Sequence, residues 1–196
     1  MKLLVISDAV SPHVYGRLED ELFRDVDMVI SCGDLPLDYL EYVVSSLNVP
    51  CYFVPGNHDE RYIGNPPPGW NSLDGRIVDH QGLTLMGFGG SIRYKPDAGP
   101  YYYTEMQMKM RFLKLQPQLW LNRKLDILVT HAPAFELGDL EGPHQGFKVF
   151  RRIIEQHVPR YHLHGHVHLN YSSNPRIMNF GGTCIINGYH HHIFEY

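Results

Sequence analysis

Five short apolar runs in this chain stop on Asp, Asn or His, and that repetition limits what the chain can fold into. Leu3-Leu4-Val5-Ile6 runs into Ser7-Asp8, and Met28-Val29-Ile30-Ser31-Cys32 into Gly33-Asp34. Cys51-Tyr52-Phe53-Val54 stops at the turn Pro55-Gly56, and Asn57-His58-Asp59 follows at once. Ile127-Leu128-Val129-Thr130 runs into His131, and Tyr161-His162-Leu163 leads into His164-Gly165-His166-Val167-His168. Short apolar runs punctuated by Gly and Pro are the signature of buried strands. In open α/β sheets, side chains just beyond the strands' C-terminal ends build the active site. Strand ends that each deliver a carboxylate, an amide or an imidazole make a metal-site pattern.

Between these runs the pattern switches to helical. Leu18 to Phe23 reads as a short amphipathic helix. Pro36 opens a second helix through Tyr39, Leu40, Val43, Val44 and Leu47, closed by Asn48-Val49-Pro50. The succession βαβαβ implies parallel strands with right-handed crossovers. Asn65-Pro66-Pro67-Pro68-Gly69-Trp70 excludes regular structure and predicts a surface flap. Arg76 to Val78 and Leu83 to Phe88 predict two strands joined by a turn at 79–82. Thr104 with Gln107 fits a capping box, and Met106, Met110 and Leu113 follow on one stripe, read as the core face. Pro117 should end or kink that helix. Asp126 to Thr130 is expected as a fourth parallel strand, followed by a helix with Phe147, Phe150 and Ile154 inward. Strand-like pieces at 176–180, 183–187 and 189–194 close the chain. Parallel first and antiparallel last is consistent with one α/β domain over residues 1–196, two packed mixed sheets flanked by helices.

Bulk properties narrow the function classes. A chain of 196 residues with 43% apolar content suits one domain with a sizeable core. A net charge of −4 leaves no basic surface for a nucleic-acid backbone, so a polynucleotide partner is disfavoured. No run has signal-peptide or membrane-spanning length, and three cysteines without paired spacing read as reduced thiols, so a cytoplasmic protein with no membrane partner is expected.

Gly33-Asp34, Gly56-Asn57-His58-Asp59, Thr130-His131 and Gly165-His166-Val167-His168 stand in the order of the signature blocks of the calcineurin-like metallophosphoesterase superfamily, which this sequence resembles. That resemblance implies a four-layer α-β-β-α sandwich and two divalent metal ions bridged by Asp34. Asn57, His131 and His166 would complete one metal, and Asp8 and His168 belong to the other. His58 would lie outside the coordination sphere near the leaving oxygen, with Asp59 holding His58 or its loop. Oxygen and imidazole donors suit Mn or Fe, with Zn, Ni or Mg as alternatives. Two such cations can bind phosphate oxygens and share a hydroxide nucleophile. The expected activity is hydrolysis of a phosphate ester, a diester before a monoester, on a small phosphorylated or nucleotide-like substrate. Rival readings are a binding or scaffold protein on the same fold and a nuclease.

One block departs from the family. Its first motif is Asp-x-His, and here Asp8-Ala9-Val10 places a non-ligating valine at the ligand position. Three readings stay open: water or substrate fills the gap, His13 reaches back, or His144 approaches from another loop. Arg61, Arg93, Tyr94 and His144 lie on loops where they could touch substrate, and Arg suits phosphate through its planar fork. His162 and His164 alternate along a strand and are expected to point away from the metals. His190-His191-His192 reads as a solvent-washed strand, His80 as turn surface, and His157 as the end of a helix, where the dipole favours it.

Overall fold

The computed structural model describes residues 1–18, 20–121 and 124–196. In chain order its elements are β1 (Lys2–Ser7), β2 (Val26–Ser31), α1 (Leu37–Leu47), β3 (Cys51–Phe53), β4 (Asn71–Ser72), β5 (Arg76–His80), β6 (Leu83–Phe88), β7 (Ser91–Ile92), β8 (Tyr102–Tyr103), α2 (Glu105–Trp120), β9 (Ile127–Thr130), α3 (Lys148–His157), β10 (Tyr161–His164), β11 (Ile177–Phe180), β12 (Thr183–Asn187) and β13 (His190–Glu195). One sheet has the order β13-β1-β2-β3-β4, parallel except for β13, which pairs antiparallel with β1. The other runs β11-β12-β10-β9-β6-β5, with parallel pairs in the middle and antiparallel ones at both edges. The small β7-β8 pair stands apart. The segment at 126–130 is therefore parallel, as its sequence predicts, but in the second sheet.

Alternation along the strands creates the layers. A strand sends successive side chains to opposite faces. Leu3 and Val5 of β1 join Met28, Ile30, Ile127, Val129 and Leu163 between the sheets, whereas Leu4 and Ile6 join Leu40, Val43 and Phe53 under α1. On the far side, Leu128 of β9 packs with Met108, Phe112, Phe150 and Ile154 of α2 and α3. Three apolar interfaces separate four layers, helix, sheet, sheet and helix, so the sandwich expected from the sequence is present. Among the described residues, no helix is long and apolar enough to cross a membrane.

Local chemistry places the elements. Thr104 and Gln107 form the full capping box, side chain to backbone in both directions, at the start of α2; such a cap stabilises a helix by about 1 kcal/mol. The hairpin β5-β6 turns on Gln81 and Gly82, both at positive φ as a two-residue turn requires.

Four expectations need correction. The helix over Leu18 to Phe23 is only a 3-10 turn at Glu21–Phe23, held by burial of Phe23, and Glu19 lies outside the described residues. The proline-rich stretch is irregular and mostly exposed, as read, but it is anchored at its end: Trp70 is buried, its indole N–H donates to the Leu40 carbonyl at 3.0 Å, and β4 then extends the first sheet. Helix α2 does not end at Pro117 and runs on to Trp120. Its core face is Met108, Phe112 and Leu119, while Met106, Met110 and Leu113 are 63%, 49% and 38% exposed, so the stripe named from sequence is the outer one. Both stripes have helical spacing, and packing against the second sheet selects between them.

Candidate metal centre

Parallel neighbours bring the strand ends together. β1, β2 and β3 lie side by side in one sheet, β9 and β10 in the other, and the segments leaving them converge at one edge. Asp8, Asp34 and His166 sit at φ of 63°, 58° and 67°, a left-handed conformation uncommon outside glycine, though Asp and His adopt it more readily than most side chains. Each such residue is strained by about 1 kcal/mol or more, and the fold tolerates this where a side chain must be aimed. Neighbouring glycines make room. A Cβ on Gly56 would fall on the Asp34 carboxylate, and one on Gly165 on the Asp8 carboxylate.

The side chains of Asp34, His131 and His166 place their ligand atoms within 4.8 Å of one another. His131 Nδ1 donates to the Cys32 carbonyl at 2.7 Å, which turns Nε2 toward Asn57 Oδ1 at 3.0 Å and Asp34 Oδ2 at 3.3 Å. A second partner of this kind fixes the tautomer and orientation of a ligating imidazole. The amide of Asn57 donates to the Tyr102 hydroxyl at 3.0 Å, so its oxygen is the atom left facing His131. His166 Nε2 bonds the Pro143 carbonyl at 3.0 Å, leaving Nδ1 as its free acceptor. Asp8 accepts the His166 backbone N–H at 2.9 Å and lies 3.8 Å from His168 Nε2. A pocket of about 240 Å³ is lined by Asp8, Asp34, His58, His144, His166 and His168.

The electrostatics suit a cation. Burial pushes the Asp8 carboxyl up to about 6, with Asp34 adding to the rise against the pull of His131. Burial also works to raise Asp34, but His131 outweighs it and the carboxyl ends low; in return the carboxylates of Asp34 and Asp8 overcome burial and raise His131. Burial lowers His166 to about 3 and lowers His144 and His168, so these rings are neutral and have lone pairs to give. The field that holds a proton on His131 would equally hold a divalent ion among two carboxylates, an amide oxygen and neutral imidazoles, the hard-to-borderline donor set of Mn, Fe or Zn. The residues fit the metals that the resemblance implies.

The remaining sequence candidates divide. His58 is exposed on the rim, with its backbone N–H on Asp34 Oδ1 at 2.8 Å. Its side chain borders the metal pocket and also an adjoining cleft of about 470 Å³ with Glu60, Tyr94, Lys95, Asp97 and Tyr102. Asp59 is fully buried and accepts the backbone N–H groups of Asp34 and Gly56, both at 2.7 Å. It ties two ligand-bearing loops together and does not reach His58 or the pocket. Arg61 bonds the Leu35 carbonyl at 3.1 Å and lies 3.5 Å from Asp59 Oδ1, and Arg93 bonds the Tyr102 carbonyl at 3.2 Å; neither is among the residues lining the metal pocket or the adjoining cleft. His144 does enter the pocket, with its ring 4.8 Å from that of His166. His13 does not: its ring lies 5.9 Å from that of His191, and it borders a different cavity. His162 is buried behind the site on Thr130 Oγ1 at 2.8 Å. His190, His191 and His192 are half-buried along β13, where a washed strand was expected, because loop 11–13 covers part of that edge. His80 is likewise half-buried, 3.1 Å from the Tyr52 hydroxyl.

From sequence alone, Glu60, Lys95, Asp97 and Tyr102 have no assigned role. The bond from Tyr102 to Asn57 spans 45 residues and carries no local signal.

A family model for calcineurin-like phosphoesterases matches residues 1–170. A protein of Haemophilus influenzae described only as uncharacterized is 24% identical, covering 82% of this chain and 79% of its own length. Among solved structures, TT1561 of Thermus thermophilus superposes with a TM-score of 0.69 at 15% identity, over 96% of this chain and 88% of its own. GAP50, the anchor in the inner membrane complex of Plasmodium, gives a TM-score of 0.55 at 11% identity, over 95% and 70%. At these identities the two structures establish the sandwich alone. The family match carries more: this chain belongs to the calcineurin-like phosphoesterases.

Proposed function

We propose that the chain hydrolyses phosphate esters, diesters before monoesters, at two divalent cations held by Asp8, Asp34, Asn57, His131, His166 and His168. The observation that carries this reading is the convergence of Asp34, His131 and His166 within 4.8 Å, with Asn57 and Asp8 alongside. Bound cations of this kind supply Lewis acidity to phosphoryl oxygens and lower the pKa of an attacking water. Asp34 would be shared by both cations, as the family resemblance implies, a role supported by its place beside His131 and in one pocket with Asp8. His144 also enters the pocket, with its ring 4.8 Å from that of His166, and is one candidate to stand in where Val10 cannot ligate. His58 would give a proton to the leaving oxygen, a role supported by its position on the border between the metal pocket and the larger cleft. The cleft on its far side supports the diester preference, because it offers room for an esterified leaving group. Free thiols at Cys32, Cys51 and Cys184 support a reducing, cytoplasmic setting.

The test is hydrolysis of bis-p-nitrophenyl phosphate by metal-stripped protein titrated with Mn²⁺. Two-phase activation, one tight step and one weak, is expected for a dinuclear site whose first half has lost a ligand to Val10. Absence of hydrolysis of diester and monoester at every Mn²⁺ concentration would overturn the enzyme reading in favour of a scaffold.

A further inference from the structure

Beside the metal pocket lies a second cavity of about 360 Å³, lined by Ser11, Pro12, His13, Arg176, His190 and His191. Every titratable side chain on its wall is an imidazole or a guanidinium, in a chain whose net charge is −4. Arg176 donates through Nη1 to the carbonyls of Asn187 and Tyr189 at 3.0 and 2.9 Å, which fixes the guanidinium and leaves Nε and Nη2 uncommitted. Among the described residues no carboxylate pairs with it. A half-buried guanidinium without a carboxylate is unusual, because desolvating that charge is unfavourable unless an anion meets it. His190 adds a second unmet group: its Nδ1 is buried and has no hydrogen-bond partner. His191 is held by Ser11 Oγ at 2.8 Å, and His13 faces it.

This cavity adjoins the hydrolytic site. Ser11 follows Asp8 on the same loop, with Val10 between them. The Tyr189 ring stacks on His168 at 4.8 Å and meets the His190 ring at 4.5 Å, so a single aromatic ring separates the two pockets. Three imidazoles alone would suit a transition metal. The fixed guanidinium and the missing carboxylate argue for the opposite charge.

We propose that Arg176, His13, His190 and His191 form an anion subsite that takes a phosphoryl group, next to the first-metal side of the hydrolytic site. Two sources have this chemistry: a second phosphoryl on the substrate, or free inorganic phosphate.

The first arm of the test needs no activity. Inorganic phosphate is titrated calorimetrically into full-length, metal-stripped protein in the presence of chelator. Binding is expected in the wild type and in Asp34→Asn, and should weaken at least about tenfold in Arg176→Gln and in His13→Gln. His13 is exposed and makes no structural hydrogen bond, so His13→Gln keeps the test valid if Arg176→Gln misfolds. No binding to the wild type, or equal binding to His13→Gln, would overturn the proposal. So would tight Zn²⁺ binding, sensitive to His13→Gln, with no phosphate binding. The second arm compares, in Mn²⁺-loaded protein, a p-nitrophenyl nucleotide diester with and without an additional phosphate. A lower KM for the bis-phosphorylated compound, lost in His13→Gln, assigns the subsite to substrate. Equal KM values with a phosphate effect on both, also lost in His13→Gln, assign it to free phosphate. The first arm stands even if the protein proves not to be an esterase.

Discussion

Two groups of histidines sit one aromatic ring apart and do opposite things. In the metal centre, imidazoles face Asp8 and Asp34, and the cluster attracts cations. In the neighbouring cavity, imidazoles face Arg176, and the cluster attracts anions. The side chain is the same, and its charge partner decides its use. A histidine count therefore says little about ligands until the nearest carboxylates and guanidiniums are known.

The sharpest way to break this comparison is Asp34→Ala, which removes the carboxylate beside His131 and His166. It should lower kcat/KM for diester hydrolysis by about 10³-fold or more and abolish tight Mn²⁺ binding. A variant within tenfold of wild type would show that the two clusters do not differ as described. Next in size is His58→Ala. Turnover of esters with poor leaving groups should drop by about 10²-fold or more, with far less effect on p-nitrophenolate esters. Equal losses on both would remove His58 from the role of proton donor. Smaller still is Val10→His, which should tighten the weak Mn²⁺ step by about tenfold. If His144 already fills that place, Val10→His will leave the step unmoved and His144→Ala will weaken it.

The smallest effect concerns stability and the second cluster. Burial, helped by His13, Arg176, His190 and His192, lowers His191 from its ordinary 6.5 to about 4; Ser11 and Phe23 are its other contacts. Between these values the unfolded chain binds the extra proton and the folded chain does not, so stability falls as pH drops through this window. His191→Gln should flatten that loss, in part only, since buried His162 is pushed the same way. Denaturant midpoints measured at both ends of the window would show it, and identical slopes for variant and wild type would contradict it.

How legible all this was depended on distance along the chain. Strand ends were readable because the apolar run and its ligand are contiguous, as in Val129-Thr130-His131, and because Gly33 and Gly56 mark where two loops touch. The inner face of α2 was not, because Met106-Met110-Leu113 and Met108-Phe112-Leu119 are both apolar stripes and only tertiary packing separates them. Neither was the anion cavity, whose His13, Arg176 and His190 are joined by the fold alone. His144 fell between these cases: its loop was noticed, but its approach to His166 depends on the Pro143 carbonyl meeting that ring.

The pairing of β1 with β13, from Lys2 against Glu195 to Ser7 against His190, has a consequence for how the molecule is made. A strand made early in this chain ends up beside one made late. At a synthesis rate of roughly 5–20 residues per second, β1 waits on the order of 10–40 seconds with one edge open. During that interval a largely apolar strand offers unpaired N–H and C=O groups to any passing chain. Newborn copies on one message are thus exposed to one another until β13 arrives, and swapping of that closing strand between them is the misassembly this topology invites.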